Sequence, residues 1–213
     1  NPGDVAAYGT AWALFEDGAP YPQKPLHRRA FPSGDVLESL MRGQLFILIG
    51  TVLVRTACAR EIGGFRTDLR LSEDWEFWCR LAAQGALRFI GLEPQVMSMR
   101  IRSASTSRAL APVWQNHLPA LRAVMSNRQL ASRFGEAKWR RITREMVSAQ
   151  LWEAGRVNFT ARRYAEARRL MMQSLAGAVS AKRLALFAIA QASQLLGRSL
   201  TPRLRFMDED AIR

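Results

Sequence analysis

The chain has 213 residues, 48% of them hydrophobic, and carries 31 Lys and Arg against 18 Asp and Glu, a net charge of +13. That composition supports a real core in one mid-sized domain, or in a domain with a smaller appendage, and excludes a disordered chain. The most apolar run, residues 45–54, is about half of what a bilayer-spanning helix requires, so no transmembrane segment is expected.

The charge is unevenly spread: residues 1–110 hold 13 basic and 11 acidic side chains (+2), and residues 111–213 hold 18 and 7 (+11). A surface of that kind attracts phosphates, whether of nucleic acid, anionic lipid or nucleotide-linked substrates. Cys58 and Cys79 have neither metal-ligand nor redox-pair spacing, which suggests reduced thiols in a cytosolic setting. The first residue is Asn, with no signal-peptide pattern after it, and the expectation is a chain that begins partway through a longer protein.

In chain order, residues 5–15 read as a strand ended by the turn signal Glu16-Asp17-Gly18. Pro20, Pro22, Pro25 and Pro32 interrupt ladders and helices alike, so residues 20–32 read as a surface loop. Ser33, Gly34 and Asp35 offer caps for a short helix over 36–41. Residues 46–54 form a β-friendly run, expected to be a strand covered on both faces. A short helix over 56–62 is closed by Gly63-Gly64, and an irregular loop runs from Phe65 to Leu71. From Ser72, the residues Trp75, Trp78, Cys79 and Ala82 recur at helical spacing and Gly85 supplies the stop. Strands are expected at 87–91 and 95–101, then a Ser/Thr-rich loop at 103–107.

Beyond Pro112 the texture changes to amphipathic helices, at 112–125, 129–155, 164–176 and 181–196. Ala149, Trp152, Gly155, Phe159, Tyr164, Ala167 and Leu170 have the small-then-aromatic texture of a tetratricopeptide-type hairpin. A solenoid needs several such units and one is visible, so it reads as a packing hairpin. Arg140, Arg141, Arg144, Arg162, Arg163, Arg168 and Arg169 are expected mostly on solvated helix faces.

Two roles compete for the acids of "LSEDWEFW", residues 71–78. With Ser72 as N-cap, Glu73, Asp74 and Glu76 occupy the first helical turn, where the helix dipole stabilises a carboxylate by about 0.3–1 kcal/mol. Trp75 and Trp78 are then core residues. Alternatively, one carboxylate does chemistry. Elsewhere the options are few, because His27 and His117 have no Cys, Asp or Glu at metal-ligand or triad spacing. No glycine loop of the phosphate-cradling kind follows a strand. Asn158-Phe159-Thr160 matches a glycosylation sequon and is read as chance.

The segment "VLVRTACAREIGGFRTDLRLSEDWEFWCRLAAQG", residues 52–85, resembles the second half of the catalytic domain of family 2 glycosyltransferases. There a strand ending in Arg-Arg leads to a helix, Gly-Gly-Phe, a loop, then Glu-Asp-Trp and an Arg-Leu-Ala helix; here the strand ends Arg55-Thr56. The resemblance extends back over "YGTAWALFEDG" and forward over "EPQVMSMRIRSASTS", about the first 110 residues. It implies an α/β fold, a partial GT-A-like domain at 1–110 with its nucleotide-binding half missing, followed by an all-α basic extension at 111–213.

The activity implied is inverting transfer of a sugar from a nucleotide-sugar donor to an acceptor hydroxyl, in surface polysaccharide or glycoconjugate synthesis. Asp74 matches the position of the catalytic base, and Glu73 is its neighbour, shaping the acceptor site and lifting the Asp74 pKa by like-charge repulsion. Trp75 and Trp78 are candidates to face a carbohydrate or lipid-linked acceptor, with core packing as the competing role. Arg100 keeps the family's basic residue. Arg102 stands where members often carry a His that reaches the metal or phosphate; a guanidinium cannot ligate a metal but can pair with a diphosphate. Surface positions on an edge strand are the alternative for both arginines.

The Mg²⁺ or Mn²⁺ expected for the full-length enzyme has no ligands in this chain, because the family's acidic pair lies upstream of the strand at Val5; Asp208-Glu209-Asp210 reads as a solvated acidic terminus. The fragment alone is therefore expected to be inactive. A cytoplasmic place follows, peripheral at the inner face of a membrane if the basic helices meet anionic lipid, and nucleic acid is set aside as a partner. Two further readings stand beside this one: a non-catalytic basic helical module that binds anionic lipid, nucleic acid or protein, and a degenerate transferase.

Overall fold

The computed structural model describes residues 3–14, 31–91, 97–100, 102 and 109–196. The proline-bearing loop expected at 20–32 lies almost wholly outside the described residues, as do the Ser/Thr-rich loop and the acidic terminus.

Strand β1 (Asp4–Tyr8) is central. The expected strand over 5–15 is broken at Gly9-Thr10, where the Gly9 N–H donates to the Thr51 carbonyl (3.0 Å), and resumes as β2 (Ala11–Leu14) in a second sheet. After α1 (Leu37–Met41) come β3 (Val52–Val54), antiparallel to β1, and α2 (Thr56–Glu61). Then follow α3 (Glu73–Gln84), β4 (Ala86–Phe89), parallel to β1, and β5 (Met97–Arg100), parallel to β2. The sheet order is β3-β1-β4, with β2-β5 beside it.

The expected strand over 46–54 is the main departure. Only its last three residues pair, after a 3-10 turn at Ile49–Thr51. Among the described strands β3 has β1 as its partner, and its register puts Leu53 in one row with Ala7 and Arg88. Leu53 is 78% exposed and Phe46 60%, so apolar composition here does not mean cover on both faces. On β1 a register shift between Asp4 and Ala6 lets the consecutive residues Val5 and Ala6 both turn inward. Gly85 ends α3 with φ 175°, an extended backbone rather than a left-handed stop. Its missing side chain answers to packing: a Cβ there would meet Val5 Cγ1 at 2.7 Å and the Gly3 carbonyl at 3.2 Å.

The C-terminal half consists of α4 (Leu118–Ser126), α5 (Arg128–Ser132), α6 (Glu136–Thr160), α7 (Tyr164–Leu175) and α8 (Ala181–Leu196). The single helix expected over 129–155 is two. Asn127 Oδ1 caps α5, accepting from the N–H groups of Gln129 (2.9 Å) and Leu130 (3.2 Å), and the chain restarts at Gly135.

One cluster of buried side chains runs from Val5 on β1 through Leu37, Leu81 and Leu87 to Leu121, Val124, Ile142 and Met146, so helices after residue 110 share the core of the sheet. Ion pairs cross the same line: Arg133 with Asp35 (2.7 Å), Lys138 with Glu38 (2.7 Å), and Arg42 with Glu145. The hairpin of α6 and α7, with α8 against it, has its own small clusters around Leu170 and Met171. Asn158 of the sequon is buried, its Nδ2 donating to the carbonyls of Pro112 (2.7 Å) and Ala154 (2.8 Å). Of the seven arginines expected on solvated faces, Arg140, Arg141, Arg144, Arg162 and Arg163 are exposed, and Arg168 and Arg169 are half-buried.

Gly155 lies inside a 25-residue helix, where Ala would gain about 1 kcal/mol in propensity. A Cβ there, however, would stand 2.9 Å from Met171 Cγ, 3.2 Å from the Met171 nitrogen and 3.3 Å from the Ala167 carbonyl. Because two of these neighbours are backbone, Gly155→Ala is expected to lower stability by about 1–2 kcal/mol, overpacking outweighing propensity. Urea unfolding followed by circular dichroism measures it.

Candidate functional site

The candidate residues of "LSEDWEFW" gather at the start of α3. Ser72 has φ 62° and ψ 25°, a left-handed conformation that costs a non-glycine residue about 1–2 kcal/mol, and its side chain makes no capping bond. The expected serine cap is thus replaced. Asp74 supplies the local bond instead, Oδ1 accepting from the Trp75 N–H at 2.7 Å, and the Glu76 N–H closes the first turn on the Ser72 carbonyl (3.0 Å).

Asp74 is half-buried, and that burial holds its carboxyl above the ordinary carboxylate range; the Trp75 N–H opposes the shift and the charge of Glu73 adds to it. Like-charge repulsion, the cause expected from sequence, is therefore secondary to desolvation. The hydrogen bonds to the Asp74 carboxyl are local, from the Trp75 N–H and from its own backbone N–H.

Both tryptophans are tied to the interior. Trp78 is 2% exposed and donates Nε1–H to the Ile47 carbonyl (3.2 Å); Trp75, half-buried, donates to the Leu40 carbonyl (2.9 Å). Trp78 thus has no open face for an acceptor, and packing is what both indoles do here. Arg100 at the end of β5 and Arg102 just beyond it are exposed. Neither is bonded to Asp74. Glu73 and Asp74 line neither of the two described clefts, nor do Arg100 and Arg102.

The strongest polar feature was grouped differently by sequence. Glu76, assigned to the first-turn acids, is 1% exposed and takes both ends of its carboxylate to Arg80 Nε and Nη2, each at 2.8 Å. Arg80 goes on to donate to the carbonyls of Ile62 and, at 2.8 Å, Gly64. Those carbonyls belong to the turn Ile62-Gly63-Gly64, whose two glycines have φ of 79° and 69°. Phe65 follows and stacks on Phe77 with ring centres 4.2 Å apart. The loop at 62–68, with Glu76, Arg80 and Asn127, walls an open polar cleft of about 380 Å³. The i, i+4 spacing of Glu76 and Arg80 was the available signal.

The described residues contain no group of three or more His, Cys, Asp or Glu side chains able to hold a metal ion, so the divalent ion implied by the resemblance has no ligand set among them. No helix of the described residues is long and apolar enough to cross a membrane. Compared with protein-family models, with curated proteins and with solved structures, the chain matches none.

Removing one partner from a buried, hydrogen-bonded ion pair leaves the other charge stranded, so Glu76→Ala is expected to cost about 3–5 kcal/mol in urea unfolding with an unchanged m value. For Asp74 the sign runs the other way. A carboxyl whose folded pKa lies above its unfolded value adds stability only while protonated, and that stability is lost as pH rises from the ordinary 3.8 through the raised value. Asp74→Asn is therefore expected to melt higher than the parent at pH 7, with the difference vanishing below pH 3.8.

Proposed function

We propose that this chain is the acceptor-side portion of an inverting, family 2-like glycosyltransferase that uses Asp74 as its general base. One observation carries the reading: the Asp74 carboxyl is half-buried at the first turn of α3 and is held by backbone N–H groups, with no described cationic side chain bonded to it. Two features support it. The order strand, short helix, Gly-Gly-Phe turn, loop and acidic helix start is the order of the family it resembles. A left-handed Ser72 immediately before the acids is the kind of local strain that clusters at working sites.

In such a reaction the acceptor hydroxyl attacks the anomeric carbon on the face opposite the nucleotide. The new C–O bond forms as the bond from that carbon to the phosphate oxygen breaks, and the nucleoside diphosphate leaves with the electron pair. Asp74 Oδ2 takes the hydroxyl proton. A carboxylate made more basic by burial accepts that proton more readily than a solvated one. Trp75, through its bond to α1, holds the helix start and with it Oδ1. Glu73 raises the basicity further and borders the acceptor side. Arg100 and Arg102, exposed cations, are suited to the leaving diphosphate. A divalent ion such as Mg²⁺ or Mn²⁺, when bound, would neutralise donor phosphate charge.

In the full-length gene product, Asp74→Asn is expected to lower transfer about 10²–10⁴-fold, the usual contribution of a general base, with the melting temperature at pH 7 no lower than the parent's. Release of nucleoside diphosphate from a panel of nucleotide sugars measures it. The parent kcat/KM should fall on the acid side with an apparent pKa above 3.8. Undiminished turnover in Asp74→Asn would remove Asp74 from the chemistry.

A further inference from the structure

The basic half of the molecule contains a groove of about 520 Å³ along one face of α6, bounded by Met125 of α4 and by Gly177 at the end of α7. That size is typical of a small-ligand site. Arg140, Arg144, Val147 and Leu151 follow one another up its floor on successive helical turns. The groove is therefore polarised. Cations stand at one end, and apolar side chains continue from Arg144 over roughly 10 Å of helix.

The cations are poorly matched by protein acids. Arg144 is exposed and has no carboxylate partner among the described residues; there Arg140 reaches only Glu136, at 3.4 Å, with the two side chains 67% and 82% exposed, a contact worth little. Glu145, the carboxylate next to Arg144, is bonded to Arg42. Behind the floor, Arg183 lies over the Trp152 ring at 5.3 Å and donates to Ser148 Oγ (2.6 Å) and the Ala178 carbonyl (2.9 Å), neither of which carries a neutralising charge. The α7 carbonyls that would repel an anion are partly occupied, since Ser148 Oγ also donates to the Ser174 carbonyl (2.7 Å).

We propose that this groove binds an anionic amphiphile, a single alkyl chain ending in a phosphate, with the phosphate on Arg140 and Arg144 and the chain along Val147, Leu151 and Met125. Two guanidiniums one turn apart suit a head with several acceptor oxygens. Met125 is 43% exposed, and a chain laid against it would remove that apolar surface from water. Such a ligand is independent of the chemistry at Asp74, and its binding is read without donor or transfer.

The test is isothermal titration of the chain with dodecyl phosphate below its micelle concentration, beside inorganic phosphate and dodecyltrimethylammonium. Saturable one-site binding of dodecyl phosphate is expected, at least tenfold tighter than either comparison compound. The double variant Arg140→Glu/Arg144→Glu, checked for an unchanged circular dichroism spectrum, should weaken it at least tenfold. An equal change of charge at the exposed Arg60 and Arg128, which do not line the groove, should leave it within twofold. Val147→Thr, a near-isosteric change, should weaken dodecyl phosphate while leaving inorganic phosphate unaffected. The proposal is overturned by absence of saturable binding, by equal affinity for inorganic phosphate or for the cationic detergent, or by an equal loss in the Arg60/Arg128 variant.

Discussion

The buried pair of Glu76 and Arg80 is the constraint around which the N-terminal half is arranged. A carboxylate with 2% of its side chain exposed persists as an ion only if its charge and lone pairs are met, and the guanidinium one turn along meets both. Arg80 has donors to spare and spends them on the Ile62 and Gly64 carbonyls. The double-glycine turn is thereby fastened to the middle of α3, and Phe65 is delivered onto Phe77. Everything that the loop and the helix start can do chemically depends on that fastening.

The second organising fact is that the basic helices are structural partners of the sheet as well as a charged surface. Ile142 and Met146 of α6 are buried in the same cluster as Val5 and Leu87. Part of the positive excess after residue 110 is matched by acids before it, with Arg133 on Asp35 and Lys138 on Glu38. Arg140 and Arg144 are part of what is left over, on the groove that α6 shares with Met125 and Gly177, and there the neighbouring acid, Glu145, is already bonded to Arg42. Uneven pairing, more than total charge, gives this surface its chemical character.

Around Asp74, burial and the repulsion from Glu73 together outweigh the backbone N–H groups of Trp75 and of Asp74 itself. A helix start ordinarily favours carboxylates, so an acid there whose proton is held more tightly than usual reports its surroundings rather than its position on the helix. The strained Ser72 and the tethered Trp75 fix that acid from either side along the chain. This is a rigid placement for a group proposed to exchange a proton.

Much of the architecture was legible in the residues. The helices at 164–175 and 181–196 follow from apolar spacing, because a helix that must bury one face displays its period wherever it packs, and the one expected over 112–125 forms at 118–126 after a 3-10 turn at Trp114–Asn116. The acids at the start of α3 and the double-glycine turn before it were equally plain. Three things were decided only in three dimensions. An apolar run at 46–54 became a three-residue strand with an exposed face, since cover depends on which strands and helices arrive from elsewhere in the chain. Gly85 looks like a helix stop, yet its smallness answers to Val5, brought close by packing. Glu76 and Asp74, two residues apart in one helical turn, received opposite fates. One is buried and neutralised by Arg80, and the other is half-buried and bonded to backbone N–H groups. The sequence by itself determined most of the helices and where the carboxylates stand along α3; only the tertiary structure decided how the strands were divided and which carboxylate was desolvated and which was paired, because these depend on atoms distant in the chain.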